Sequence, residues 1–203
     1  MRKVIKFSDS LKRPCKKVSV EEGEKIAAEL FQILVERGDG IGLAANQVGI
    51  DASVAVVNVR EPIVLINPRI VKKSDEVIYR EGCLSFPKKP CNTKRYKNVV
   101  VECDNHEGKL SFGTNNEEND TEHYLLESVC VQHEIDHLDG VRILDRKVIK
   151  DPIRSNKVGR NERVTITNGN EIKTLKWKKA QSLVESGLWE IKNEISNRVD
   201  NVN

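Results

Sequence analysis

A chain of 203 residues suits one main domain with an appended module, and it is long enough to bury a core. A net charge of only +3 at pH 7 does not call for nucleic acid or an acidic membrane as partner of the whole chain. No apolar run reaches the ~20 residues of a membrane helix, MRKVIKFSDS lacks the apolar stretch of a signal peptide, and five cysteines without CxxC spacing argue against a disulfide framework; a cytoplasmic protein with reduced thiols is expected.

Taking the elements in chain order, Ser19-Val-Glu-Glu22 is a capping box followed by Ile26, Leu30, Ile33 and Leu34 at helical spacing. This predicts a helix over 20–37, ended by Gly38 and Gly40. Segments 52–60 (ASVAVVNVR), 62–70 (PIVLINPRI) and 98–103 (NVVVEC) are rich in β-branched residues and predict strands. GTNNEENDTEH, 113–123, has no aliphatic residue and predicts an exposed loop. Tyr124–Leu138 predicts a helix stopped by Gly140, and its apolar residues on more than one face mean it is largely buried. Beyond residue 149 the composition turns polar and basic. A linker is expected over 150–160, then a basic extension over 161–203 with an Asn-Gly hairpin in VTITNGNEIKTLKW and a short helix over 178–187. Between Arg146 and Ala180, eleven Lys/Arg face three Asp/Glu.

Within the second helix, His133-Glu134-Ile-Asp-His137 is an HExxH motif. It places two imidazoles one turn apart on one face with a glutamate a step around, so a metal held there carries its water within reach of a base. Two ligands do not make a stable site, and the third is open. A third histidine at the HExxHxxGxxH spacing is excluded, because Ile143 stands there. Cys130 is seven residues from His137, ~10 Å along the axis at helical rise, too far for a shared metal bond. The candidates left are the carboxylates Asp145 and Glu162 and a distant thiolate, among which Cys83 in EGCLSFP has no advantage from spacing alone.

GIGLAANQVG (40–49), EGCLS (81–85) and QHEIDH (132–137), in that order, resemble the three signature motifs of the peptide deformylases, and the resemblance spans about 11–147. It implies an α+β fold of antiparallel strands around a central HExxH helix, here with an atypical C-terminal extension. It further implies removal of the N-formyl group from the formylmethionine of nascent peptides. The metal ligands it implies are Cys83, His133 and His137 around one divalent ion, Fe2+ in the working enzyme with Zn2+, Ni2+ or Co2+ as substitutes. Glu134 becomes the general acid and base, with the Gln47 amide and the Leu84 backbone N–H as oxyanion donors. Ile41, Gly42 and Glu81 line the substrate site, Val129 and Cys130 wall the methionine pocket, and Asp136 with Arg95 can pair to orient the centre.

GIGLAA also fits a dinucleotide fingerprint. That fingerprint needs a strand before it and a helix after, and here the order is reversed. Two departures from the family pattern stand out. Pro90 occupies the place where relatives often carry a substrate-binding arginine, and the 113–123 segment replaces a short strand-like link. The basic extension is expected either to contact ribosomal RNA through phosphates or to be a solvated appendage, and a monomer is expected. A zincin-like endopeptidase and a non-catalytic module on the same fold are the competing readings.

Overall fold

The computed structural model describes residues 2–113, 121–148, 161–168, 171–185 and 189–191. Two compact units divide the chain, Met1–Ile149 and Lys150–Asn203.

In the first unit, helix α1 (Val20–Arg37) begins where Ser19 Oγ accepts the Glu22 N–H and ends at Gly38, whose φ of 67° suits the left-handed cap. Its Ala27, Leu30, Ile33 and Leu34 are buried. They pack on an antiparallel sheet of β1 (Gly42–Ala44), β2 (Val54–Asn58) and β3 (Pro62–Ile66), in that order. Strand β2 is apolar at every buried position because it is covered on both faces. Val54 and Val56 join the α1 cluster, while Ala55 packs with Leu138 and Val57 with Val131 and Ile135 of the second helix.

A second antiparallel sheet consists of β4 (Arg69–Glu81), β5 (Cys91–Glu102) and β6 (Leu110–Phe112), the first two forming a long hairpin registered from Arg69↔Glu102 to Glu81↔Cys91. Helix α2 (Thr121–Leu138) packs against β1, β2, β5 and β6, so it touches both sheets. This contact carries the second motif helix into the protein interior.

Two expectations need correction. The stretch 62–70 is not one strand, because Asn67 adopts φ 49° and the chain breaks there before Pro68 and β4. Asn67 uses its side chain in place of a strand partner, accepting from Val18 N–H (3.1 Å) and donating to Val18 O (2.8 Å) and Asp104 Oδ2 (2.7 Å). Strand β4 escaped the sequence reading beyond Ile70 because most of its positions are exposed and its middle, 72–76 (KKSDE), is wholly polar. Helix α2 also starts at Thr121, three residues before the expected Tyr124. Residues 114–120 of the expected loop and the whole expected linker lie outside the described residues.

In the second unit, β7 (Arg163–Thr167) and β8 (Ile172–Lys176) form an antiparallel hairpin, with β9 (Glu190–Ile191) on the other edge of β7. Helix α3 (Trp177–Glu185) closes a small core of Val164, Ile166 and Ala180 with Leu175, Trp177 and Trp189 around it. The Asn-Gly turn and the expected end of this helix at 187 fall partly outside the described residues.

Candidate metal centre and its surroundings

Three segments meet here: β1 with the turn that follows it, the end of β4, and the C-terminal part of α2. After β1 the chain tightens into a 3-10 turn, Ala45–Val48, closed by Gly49 at φ 81°. That turn buries Gln47, which is 1% exposed. The Ala44 N–H donates to Gln47 Oε1 (2.8 Å), which fixes the amide so that Nε2 donates to Ser85 Oγ (3.2 Å) and lies 3.7 Å from Cys83 Sγ. Cys83 itself follows the last residue of β4 in a turn closed by Phe86 N–H to Cys83 O (3.0 Å). On α2, the His133 and His137 rings lie 5.0 Å apart, centroid to centroid.

Potential ligand atoms of Cys83, His133 and His137 lie within 4.8 Å of one another, and Cys83 Sγ is 3.2 Å from His137 Nε2. A partly buried thiol and two buried imidazoles converging at this spacing suit a cation with borderline-soft preferences, such as Zn2+ or Fe2+. The electrostatics fit one as well. Burial acts to lower the His133 pKa, but its contacts with Cys83 and with Glu81 prevail and raise it well above normal, so the pocket draws positive charge to this ring. Burial, reinforced by His133, lowers that of His137 and leaves it neutral, the form in which imidazole binds a metal. Asp145, the carboxylate alternative, is engaged elsewhere, accepting from Arg142 Nε (2.8 Å) and Nη2 (2.7 Å).

Behind the histidines runs a buried ion network. Glu81 Oε2 is 2.7 Å from His133 Nδ1, and Arg95 donates to both oxygens of Glu81 (2.5 and 3.1 Å) and to Asp136 Oδ2 (2.5 Å). Asp136 also accepts from Arg146 (2.8 and 3.1 Å), and Thr93 Oγ1 donates to Glu81. Burial works against the Glu81 carboxylate, yet the bonds from His133 and Arg95 outweigh it and bring the pKa down to about 2. With its pKa this low, Glu81 is the acceptor that favours a proton on His133 Nδ1 and leaves Nε2 for the side of the sulfur. Arg95 and Asp136 thus pair directly, as the sequence allowed, and Arg95 also holds Glu81, which carries the network on to His133. Glu81 borders the cavity, yet its carboxylate faces His133 and Arg95, so the substrate-lining expectation misses its main contacts.

Gly42 explains how Glu134 is positioned. A Cβ there would meet Glu134 Oε1 at 2.5 Å and Cys130 Sγ at 2.7 Å, so β1 can approach α2 this closely only with glycine. Glu134 is 4% exposed, burial pushes its carboxyl up to about 7, and its Oε2 has no partner among the described residues. Cys130 Sγ lies 3.6 Å from Ile41 O, a packing contact. Ile41, Gly42, Gln47, Cys83, Leu84, Val129, Cys130, His133 and Glu134 all border one cavity of about 800 Å³. The Leu84 N–H, directly after Cys83 in the chain, has no acceptor among the described residues. Pro90 borders the cavity and offers no N–H.

Sequence reasoning missed three contributors. Ser85 lies inside the EGCLS motif and could have been noted as an acceptor for Gln47. Thr93 and Arg146 carry no local signal, since only the β4–β5 register and the turn after α2 bring them to Glu81 and Asp136.

Comparison with known proteins shows the family. The family model for polypeptide deformylase matches residues 1–154. The peptide deformylase of Buchnera aphidicola subsp. Acyrthosiphon pisum is 36% identical over 139 residues, covering 66% of this chain and 75% of that protein. The peptide deformylase of Aquifex aeolicus is 34% identical over 155 residues, covering 70% and 85%. Among solved structures, the peptide deformylase from Thermotoga maritima superposes with a TM-score of 0.62 at 30% identity, over 72% of this chain and 97% of its own. The chain belongs to the peptide deformylase family.

Proposed function

We propose that Cys83, His133 and His137 hold one divalent ion, Fe2+ in the working enzyme with Zn2+, Ni2+ or Co2+ able to replace it, in a centre that deformylates nascent chains in the cytoplasm. As a peptide deformylase the protein is a metal-dependent hydrolase that removes the formyl group from N-terminal formylmethionine. The observation carrying the assignment is the approach of one sulfur from the end of β4 to two imidazoles of α2, beside the buried Glu134 carboxyl, whose Oε2 has no partner among the described residues.

A formamide is a weak electrophile, so its hydrolysis needs an activated water, a stabilised oxyanion and a proton for the amine. When bound, the ion supplies Lewis acidity and lowers the pKa of water toward neutrality. Glu134, at about 7 and with a free oxygen, can take a proton from water and return it to the departing amine. Gln47 Nε2, aimed by the Ala44 N–H, and the Leu84 N–H are the donors for the oxyanion. Ile41 and Gly42 edge the bound peptide, and Val129 and Cys130 wall the methionine side chain.

The test is anaerobic hydrolysis of formyl-Met-Ala with added ferrous iron. Glu134→Gln should retain its metal and lose roughly 10²- to 10⁴-fold in kcat; full turnover in that variant rejects the role. Cys83→Ser should lose the metal, whereas a zincin-like peptidase with a downstream ligand would keep it.

The extension supplies a second, separable proposal. Exposed Arg163 and Lys176 are cross-strand neighbours, and exposed Lys178 and Lys179 open α3 where cations oppose the helix dipole. Such crowding favours a polyanion, and ribosomal RNA near the nascent chain is the expected one. Deleting 151–203 should abolish salt-sensitive co-sedimentation with ribosomes; unchanged sedimentation removes this proposal. The same deletion should leave formyl-Met-Ala turnover in a monomeric protein.

A further inference from the structure

The mouth of the cavity carries a charge that the deformylation chemistry does not use. Lys6, Arg80, Lys88 and Lys89 all border it and are exposed. The three carboxylates on the same lining are committed or buried. Asp39 pairs with Arg37 at 2.8 Å, Glu81 with Arg95 and His133, and Glu134 lies inside. Among the described residues, none of the four cations has an ion-pair partner. Four unpaired cations around one opening repel each other unless something negative enters, and a low-dielectric wall behind them focuses their field into the cavity.

The lysines sit on backbone that is tied to the centre itself. Ile5 N–H donates to Gln47 O (2.7 Å) and Phe7 N–H to Ser85 O (3.1 Å), so Lys6 is carried by a segment anchored to the two residues that frame Cys83. On the facing turn, Lys89 N–H donates to Phe86 O (3.2 Å). The two segments join through an edge-to-face contact of Phe7 with Phe86 at 5.6 Å, and Lys89 Nζ lies 5.1 Å from the Phe7 ring centre. Lys6 and Lys89 are therefore held by one contact, and the position that Pro90 leaves without a donor has two lysines directly before it.

We propose that this mouth is a carboxylate-selecting rim, which favours formylated peptides with acidic side chains soon after the methionine. The proposal rests on the deformylase reading and adds substrate selection to it. A peptide leaving the cavity in extended form moves ~3.3 Å per residue, so the residues just beyond the methionine pass the lysines while the formyl group stays at the centre. Exposed pairs are each weak, and together two or three amount to roughly tenfold in kcat/KM at low ionic strength.

The test compares formyl-Met-Ala-Asp-Asp, formyl-Met-Ala-Lys-Lys and formyl-Met-Ala-Ser-Ser, all C-terminally amidated, on the iron-loaded full chain. The aspartate peptide should exceed the lysine peptide by about tenfold in kcat/KM, and ~0.5 M salt should remove most of the difference. The Lys6→Gln/Arg80→Gln/Lys88→Gln/Lys89→Gln variant should treat the aspartate and serine peptides alike and retain wild-type turnover of the serine peptide. Equal turnover of the acidic and basic peptides by the wild type, or a preference that survives in the variant, overturns the rim. A serine peptide with a free C-terminus separates chain ends from side chains: a gain there without one for aspartate assigns the rim to terminal carboxylates and overturns the proposal. Inhibition of serine-peptide turnover by a short single-stranded RNA, with no distinction between the charged peptides, overturns it in favour of phosphate. If the serine peptide is not hydrolysed at all, the deformylase reading itself fails.

Discussion

Removing the guanidinium of Arg95 tests whether the ion network behind the histidines positions the centre. Its side chain is 3% exposed and lies between Glu81 and Asp136, whose side chains are 4% and 10% exposed. Breaking a buried ion pair from one side typically costs 3–5 kcal/mol, because the remaining charge is left desolvated. Here Glu81 keeps His133 and Thr93, and Asp136 keeps Arg146, so Arg95→Met belongs at the lower end, about 3 kcal/mol. For a unit of this size that corresponds to a fall of roughly 6–12 °C in Tm. Both tryptophans, Trp177 and Trp189, lie in the second unit, so unfolding of the first is followed by far-UV circular dichroism rather than by tryptophan fluorescence. Loss of the support for His133 should also weaken metal retention by about 10- to 100-fold in a chelator competition. Arg142→Ala is the control, because Arg142 pairs with the 40% exposed Asp145 and should cost under ~1 kcal/mol. An Arg95→Met protein that melts within 2 °C of the wild type and holds its metal equally well refutes the reasoning, since ~3 kcal/mol cannot hide in so small a shift.

Gly42→Ala should fold and lose most turnover of formyl-Met-Ala, because the new Cβ must displace Glu134 Oε1 or Cys130 Sγ; activity within twofold of wild type would show that β1 can yield. Gly23→Ala pits propensity against packing: alanine gains about 1 kcal/mol in a helix, but its Cβ would lie 2.7–2.9 Å from the fully buried Ile66, and overpacking costs roughly 1–3 kcal/mol. A net loss in urea denaturation is expected, and a stabilised variant would mean Ile66 repacks freely. Asp145 is held down to about 2 by its bonds with Arg142, so it contributes stability that is present above its ordinary value of 3.8 and lost as pH falls toward 2. Asp145→Asn should slightly flatten the decline of stability between those pH values, and an unchanged slope would show the pair contributes nothing. Treatment with a chelator should abolish turnover, and ferrous iron should restore it.

The parts of the fold legible in the sequence were those with a repeating apolar signal or a cap. Helix α1 follows its capping box to the residue, and β2 is visible because both faces are covered. The register of β4 on β5 was not legible, since most of β4 is exposed and its one buried end, Glu81, is polar. That register nevertheless decides the centre: pairing Glu81 with Cys91 places Thr93 and Arg95 along one partner strand, within reach of a carboxylate fourteen residues earlier than Arg95. Motif resemblance named Cys83 as the third ligand, where spacing left it level with the other cysteines and left Asp145 and Glu162 open. Spacing was insufficient because the sulfur arrives from the turn after β4 while the imidazoles sit on α2, and no periodicity within one element encodes such a meeting.

Helix α2 shows why its burial was readable but its chemistry was only partly so. Glu127, Ser128, Gln132, His133, Glu134, Asp136 and His137 are all buried, an expensive composition for a core helix. Most of these groups are paired: Glu127 with Arg60 (2.7 Å), Gln132 with the Tyr96 backbone (2.8 and 3.0 Å), His133 with Glu81, and Asp136 with two arginines. Within the HExxH motif the unpartnered buried atoms among the described residues are Glu134 Oε2 and His137 Nδ1. Leaving a carboxylate oxygen desolvated and unpaired costs on the order of 1–3 kcal/mol, which packing alone has no reason to sustain. A helix built for stability would pair or remove Glu134. Glu134→Leu should therefore raise Tm while abolishing turnover, and a variant less stable than wild type would show that the glutamate is structural after all.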